Sequence, residues 1–466
     1  MDKKNPWAAR FLPLLKIEEI ERRTRVEPET LSGLFDLPAH VAVERLKASL
    51  ELIFIPTQNS CRILLMIVER AVNHCITRYP DNLSFLSGVY NHRDCVETAA
   101  CITGLAGSGK TELVKALGRM LQPDSVIDVG AGHSPFPLKA HWKIKIKERK
   151  SLIQMFSPFF VANKVSSHGG AQEEELSDSH PKLIRALGPE CSRRAFRDGI
   201  SILTVDELQS FTQSAQANTL VTKTLLFCTY IGIPFFYICN YSLGHRLFRR
   251  PQEDRHRLLT DPHVLLPDEP SSKDWIDYLT ECKRVAGDWL QFDPLEDGDT
   301  IHQYSAGLKR LVVKLILFSF EEARTNKQEI VTLRDITQAY YSMRNTVNRQ
   351  DVEDIKGQSI SGEKVKGING RIRLDIWCPF DLPKNSQKKT IEKNIAAREK
   401  VVGTVLIKSS LTADERDGLK IVEKKLGAPK KAKAVPLLAK KKKGIPTAED
   451  LLANAQDFLE QHFNKK

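Results

Sequence analysis

No CxxC pair and no tight Cys/His cluster occurs among the nine cysteines of this 466-residue sequence. Cys61, Cys75, Cys95, Cys101, Cys191, Cys228, Cys239, Cys282 and Cys378 are scattered, several inside apolar stretches. A structural zinc site is therefore not expected, and buried, reduced thiols in a reducing, cytoplasmic compartment are. The start, MDKKNPWAARFLPLLKIEE, has no continuous apolar core followed by a small-residue cleavage site, so it does not read as a secretory signal. Nor is there a run long enough to cross a membrane. The most apolar stretch, TLLFCTYIGIPFFYIC from Thr224 to Cys239, is divided by Gly232 and Pro234 into a helix end and a strand start. No fixed-period repeat is present, which excludes solenoid and propeller architectures.

What is present is ordinary soluble-protein composition, 41% hydrophobic and 27% charged, with a formal net charge of +12. That charge points to a polyanionic partner, and by itself it fits DNA, RNA and acidic membranes equally. The length suggests roughly two to four domains. Residues 1–50, interrupted by Pro6, Pro13, Pro28 and Pro38, read as an irregular arm with short helices. From Val41 to Ala71 apolar residues fall at helical spacing, with a break near Pro56. Three short apolar runs, at Ala99–Thr103, Ile200–Val205 and Pro234–Cys239, read as buried strands separated by helices. The expected fold class is α/β: a parallel sheet covered by helices over 51–265, then a helical lid over 266–350. Trp275–Ala286, Gly307–Ala323 and Thr332–Arg344 are the expected lid helices, the last opened by a Thr332/Asp335 capping box. Beyond 351 apolar residues thin out and lysines gather, at Lys430, Lys431, Lys433 and Lys440–Lys443. Residues 351–466 therefore read as a basic, partly disordered tail. It ends in an amphipathic helix that carries Leu451, Leu452, Ala455, Phe458 and Leu459 on one face and is suited to capturing a partner.

Gly104-Leu-Ala-Gly-Ser-Gly109-Lys110-Thr111 fits the phosphate-binding pattern GxxxxGK[ST] in full. Its glycines, Gly104, Gly107 and Gly109, let the backbone curl so that N–H groups, with that of Ser108 among them, point at phosphate oxygens. The helix that follows presents its positive end to the same anion. Lys110 would neutralise the β- and γ-phosphates of ATP, and the Thr111 hydroxyl would ligate Mg²⁺. The run ISILTV ends in Asp206-Glu207. A carboxylate there projects at the carboxyl edge of the sheet, facing the phosphates from an adjacent strand end. Asp206 is the expected Mg²⁺ partner and Glu207 the base for the attacking water. Asn240, directly after PFFYIC, is placed to hold that water, although asparagine also ends strands for purely structural reasons. Arg246, Arg249, Arg250, Arg255 and Arg257 are candidates for a cation supplied to a neighbouring subunit, and Lys309 or Arg310 for one supplied by the lid.

These elements together resemble the TnsC/TniB family of AAA+ transposition regulators, on LAGSGKTELVKAL, ILTVDELQSF and LLFCTYIGIPFFYICN, over about Asn5 to Ser342. Asp206–Gln209 matches an Asp-Glu-[Leu/Ile]-Gln motif associated with that group. The resemblance implies an ATPase that assembles as a ring or helical filament around duplex DNA and links a target-selection protein to transposase subunits, with hydrolysis driving disassembly. Another DNA-associated AAA+ ATPase, such as a helicase loader or replication initiator, and a protein-binding NTPase switch are the competing readings. For DNA, the candidates are Lys143, Lys145, Lys147 and Arg149 in HWKIKIKERK; the three lysines share one face at strand period, with Ile144 and Ile146 opposite. Phosphate contact and an edge strand charged against sheet-to-sheet pairing fit that pattern equally.

Overall fold

The apolar runs expected to be strands are buried on both faces, and their side chains sort by parity. The computed structural model describes residues 5–130, 132–146, 152–156, 158–161, 181–208, 215–367, 370–382 and 387–410, all within the first of the chain's two units, Met1–Leu411. Its strands are β1 (Ala99–Gly104), β2 (Ser125–Ile127), β3 (Phe136–Leu138), β4 (His141–Lys145), β5 (Ile202–Asp206), β6 (Phe235–Asn240) and β7 (Asp261–Leu265). β2 and β3 form a small antiparallel pair. The other five make one parallel sheet in the order β4-β5-β6-β1-β7. Ala100, Ile102, Ile202, Phe236 and Ile238 face one apolar layer, whereas Ala99, Cys101, Leu203, Val205, Phe235, Tyr237 and Cys239 face the other. A strand covered on both sides needs apolar residues at both parities, which is why these runs do not alternate with polar residues.

Helices α1 (Pro6–Ala9), α2 (Ile17–Thr24), α3 (Ala39–Leu52), α4 (Gln58–Arg78) and α5 (Asn82–Tyr90) precede β1, and α6 (Lys110–Met120) follows it. All of these except α3 cover the first face of the sheet. The opposite face is covered by α7 (Leu152–Phe156), α8 (Pro158–Val161), α9 (Pro181–Arg197), α10 (Ala215–Thr229), α11 (Tyr241–Leu247) and α12 (Gln252–Leu258). The break expected near Pro56 is real. Thr57 and Ser60 cap α4 reciprocally, each backbone N–H donating to the other's hydroxyl at 3.1 and 2.7 Å. The division of TLLFCTYIGIPFFYIC also holds: α10 stops at Thr229, Gly232 turns at φ +79°, and β6 starts at Phe235. No described helix is long and apolar enough to cross a membrane. The lid comprises α13 (Lys273–Ala286), α14 (Gly298–Ser305), α15 (Lys309–Thr325), α16 (Leu333–Tyr341) and α17 (Thr346–Ser361), with the short pair β8 (Leu290–Gln291) and β9 (Val331–Thr332). The Thr332 N–H bonds Asp335 Oδ2 at 2.8 Å, the backbone half of the expected capping box.

Two expected boundaries shift. The segment 1–50 is not a separate arm. Trp7 and Phe11, which could dock a target-selection protein or pack on the chain's own domain, are buried with Leu14 and Ile20 against α4 and the sheet. Trp7 lies 5.3 Å from the Tyr79 ring and 4.9 Å from Phe85. Large aromatic side chains gain more from such burial than from exposure on an arm. Residues 34–55, α3 among them, belong to the apolar core of the lid, so a boundary at residue 50 cuts through α3. At the other end, the expected tail boundary at 351 falls inside α17, where Val352 is fully buried. A further helix, α18 (Lys388–Ser410), packs on α17, with Lys393 paired to Asp299 and Asn394 bonded to Gln303 and Ser359. Polar anchors at this density do not raise the hydrophobic signal from which a sequence is read. The lysine clusters at 430–443 and the helix expected at 451–459 lie outside the described residues. Trp7→Ala is expected to destabilise the protein by about 3–5 kcal/mol, read as a lowered midpoint in urea unfolding.

Candidate nucleotide site

Gly104 ends β1, and the loop that follows curls through Gly107 at φ +87° and Gly109 at φ +94° before α6 begins at Lys110. Left-handed backbone at both positions is why a side chain there would be strained. Gly104 is small for another reason: a Cβ would stand 2.5 Å from the Leu265 carbonyl oxygen of β7. Lys110 is 8% exposed, and its Nζ donates to the carbonyls of Gly104 (2.9 Å) and Leu105 (2.7 Å). Burial lowers its pKa from 10.5 to about 8. A cation held by two neutral carbonyls, with a third donor remaining and the positive end of α6 alongside, is built for an anion.

Asp206 ends β5 and is 2% exposed. Its Oδ1 accepts the Glu207 N–H at 2.8 Å, while its Oδ2 is buried without a partner among the described residues. Glu207 takes φ +66°, a conformation a non-glycine residue adopts only where its surroundings impose it. The expected adjacency is corrected by the strand order, because β6 lies between β1 and β5. Side-chain parity cannot reveal that order, since every central strand is apolar on both faces. Asn240, the last residue of β6, pairs with Gly104 across the β1–β6 ladder and stands between the phosphate loop and the acidic strand end. It occupies the N-cap position of α11 yet makes no capping hydrogen bond through its side chain, so its amide is not spent on ending the strand.

A cavity of about 530 Å³ joins these parts, lined by Gly107–Leu113, Lys115, Glu207 and Asn240. Its other wall was not foreseen from the sequence. Ile53, Phe54 and Ile55 come from the break between α3 and α4, Leu265–Asp268 from the turn into the lid, and Val313 and Leu317 from α15. The only local signal was the apolar run IFI before Pro56. Of the two lid cations, Lys309 is engaged, in an ion pair with Asp268 (3.4 Å) and over the Tyr278 ring (5.0 Å). Arg310 is the one over the loop; a Cβ on Gly107 would lie 2.9 Å from its Nε. The first turn of α15 thus carries two cations and no acid at the positive end of a helix, an arrangement an anion relieves.

The arginines beyond β6 do not line the cavity. Arg250 pairs with Asp254 at 3.2 Å, and Arg257 bonds the Tyr230 hydroxyl. Arg249 and Arg255 are exposed and make no ion pair with a described residue. β4 is an edge strand, with Trp142 and Ile144 buried and Lys143 and Lys145 exposed. Lys147, Arg149 and Gln209 lie outside the described residues.

A phosphate loop on a central strand, an acidic strand two places away, a polar strand end between them and a helical lid over the loop make up one architecture. The fold is a parallel α/β sheet with a phosphate loop and a helical lid. No family model and no curated protein matches the chain. Among solved structures it is similar to the Aeropyrum pernix ORC1 protein in complex with DNA, at 15% identity over 74% of this chain and 81% of that one, TM-score 0.35. It is also similar to Drosophila ORC bound to DNA, at 14% identity over 89% and 92%, TM-score 0.36. A third is the Thermotoga maritima RuvB Holliday junction branch migration motor, at 11% identity over 61% and 75%, TM-score 0.30.

The lowered Lys110 pKa sets a pH dependence for anion binding to this site. Phosphate favours the charged ammonium and raises its pKa in the complex, so above about pH 8 binding must take up a proton. ATP affinity is therefore expected to be flat below that pH and to fall towards tenfold per pH unit above it. For an ordinary lysine the fall would begin near 10.5. Titration of the dissociation constant between about pH 7 and pH 9.5 checks this.

Proposed function

We propose that the protein binds ATP with Mg²⁺, hydrolyses it, and uses the cycle to control its assembly on duplex DNA as a regulator of transposition. The observation that carries the ATPase reading is one cavity receiving Lys110, Glu207 and Asn240, with Asp206 Oδ2, partnerless among the described residues, buried one residue before Glu207. That oxygen and the Thr111 hydroxyl are hard donors of the kind Mg²⁺ takes, the carboxylate commonly through water. When bound, the ion would offset phosphate charge. Lys110 and Arg310 would hold the β- and γ-phosphates from core and lid. Glu207 would accept the proton of the attacking water, and the Asn240 amide would orient that water. The apolar wall from Ile53–Ile55, Val313 and Leu317 would take the base.

The transposition reading rests on the resemblance of LAGSGKTELVKAL and ILTVDELQSF to the TnsC/TniB family and on the net charge of +12. In this reading the chain assembles as a ring or helical filament and joins a target-selection protein to transposase subunits. Lys143 and Lys145, exposed on an edge strand beside the acidic strand, would contact DNA phosphates and give affinity without sequence choice.

Glu207→Gln is expected to bind ATP within about twofold of the parent while phosphate release falls by about a hundredfold or more. In electron micrographs with ATP and duplex DNA the variant should persist as rings or filaments. Undiminished phosphate release would remove Glu207 as the base, and no DNA-dependent assembly would remove the regulator reading. Replacing Lys143 and Lys145 together by alanine should lower DNA affinity and reduce the slope of log affinity against log salt by about two, one per lost phosphate contact. An unchanged slope would leave the strip as a charged edge alone.

A further inference from the structure

Past α17 the chain turns back, and residues Arg373–Phe380 lie against α11, the helix that starts one residue after Asn240. Both ends of this segment are anchored. At the lid, Arg373 Nη1 bonds Asp351 and Asp354 of α17 at 2.8 Å each, and its Nη2 bonds Asp375 at 2.6 Å. Gln358 of α17 donates to the Ile376 carbonyl at 3.1 Å, and the Ile376 side chain is buried in the lid core. At the sheet, His245 Nε2 donates to the Trp377 carbonyl at 2.8 Å, and the Phe380 ring meets Phe248 at 5.3 Å. Between them Pro379 lies so close to α11 that a Cβ on Gly244 would stand 2.7 Å from its Cγ. Gly244 has ordinary helical backbone, so its lack of a side chain serves this approach alone. The proline ring cannot swing aside as a flexible side chain would.

We propose that Arg373–Phe380 is a brace that positions Asn240 for hydrolysis, so that turnover depends on how the lid is seated. This rests on the reading of Asn240 as the residue that orients the lytic water. α11 has only two turns, and Asn240 is its N-cap, so a shift of the helix moves the amide directly. Arg310 reaches the phosphate loop from α15, and Arg373 holds α17 of the same lid core. Lid position therefore reaches the reacting end of the nucleotide by two routes, one through the loop and one through the brace. The residues concerned are positioning residues: none of Arg373, Gly244 and Pro379 lines the cavity.

The test separates positioning from folding. Gly244→Ala, which by itself favours the helix, should push Pro379 away and lower kcat about tenfold, as small misplacements of reacting groups do. ATP affinity measured separately should stay within about twofold, because the phosphate loop is untouched. The double variant G244A/P379A removes the opposing ring atom and should recover parental kcat to within about twofold. Arg373→Met frees the lid end and should reproduce the loss. It serves in place of Gly244→Ala if that variant does not fold, as judged by its melting transition. Parental kcat in Gly244→Ala, or an equal loss in the double variant, would overturn the brace. Absence of phosphate release from the unmodified protein with ATP, Mg²⁺ and duplex DNA would instead overturn the ATPase reading. In that case amide exchange over Tyr241–Phe248 still decides the brace: faster exchange in Arg373→Met supports it and unchanged exchange rejects it.

Discussion

The Lys110 ammonium is buried against two backbone carbonyls, and much of the molecule is arranged around that charge. Burying an ion without a counter-ion costs several kcal/mol, and neutral carbonyls recover part of it. The carboxylates that could neutralise it, Asp206 and Glu207, are kept one strand away by β6. The positive ends of α6 and α15 and the guanidinium of Arg310 converge on the same space. Each of these is unfavourable beside the others and favourable beside a polyphosphate. The site is thus held at a high electrostatic free energy that an anion relieves, and affinity comes from relief as well as from contact.

The order of the sheet turns this binding site into one suited to reaction. Had β5 paired with β1, an acidic side chain would have lain against Lys110 and quenched it. With β6 between them, the carboxylates stand across a gap whose floor is Asn240. In the proposed hydrolysis, that gap is where a water molecule would meet Glu207 and the terminal phosphate. The left-handed conformation of Glu207 belongs to the same arrangement, since it turns the chain as β5 ends, one residue beyond the buried Asp206. Strain of this kind costs of order 1–3 kcal/mol and persists only where packing enforces it. Asp206, all but buried and bonded through Oδ1 to the next N–H, supplies the enforcement.

What the sequence disclosed and what it hid divide along a physical line. The phosphate loop, the three central strands, the split at Gly232–Pro234 and the acidic strand end were legible because each depends on residues within a few positions of one another. The strand order was not, because Leu203, Phe235 and Ala99 are equally apolar wherever their strands stand. For the same reason α3 read as part of an arm, whereas Leu46 and Leu50 pack under the lid helix α15. Trp7 and Phe11 suit a partner surface or the chain's own core by sequence, and only the distant Tyr79, Phe85 and α4 decide for the core. The cavity wall at Ile53–Ile55 and the choice of Arg310 over Lys309 depend on contacts tens to hundreds of residues apart. Asp268, which engages Lys309, is nowhere near it in a helical periodicity.

The same long-range contacts bear on how the lid can move. Its apolar core is joined to the sheet by three covalent crossings, at Arg25–Gly33, Ile53–Thr57 and Leu265–Asp268; the first two run side by side, with Val26 bridged to Phe54, so the lid is held at two places, and the last two crossings line the nucleotide cavity. A body held at two neighbouring points can pivot about the line between them with little resistance. The contact of Trp377–Phe380 with α11 is a third point off that line, and it removes the pivot unless α11 moves too. A ligand bridging the loop and α15 would then load the brace as it draws the lid in. The helix receiving that load begins at Tyr241, one bond from the amide that faces the gap, so nucleotide seating and alignment of Asn240 become one mechanical event.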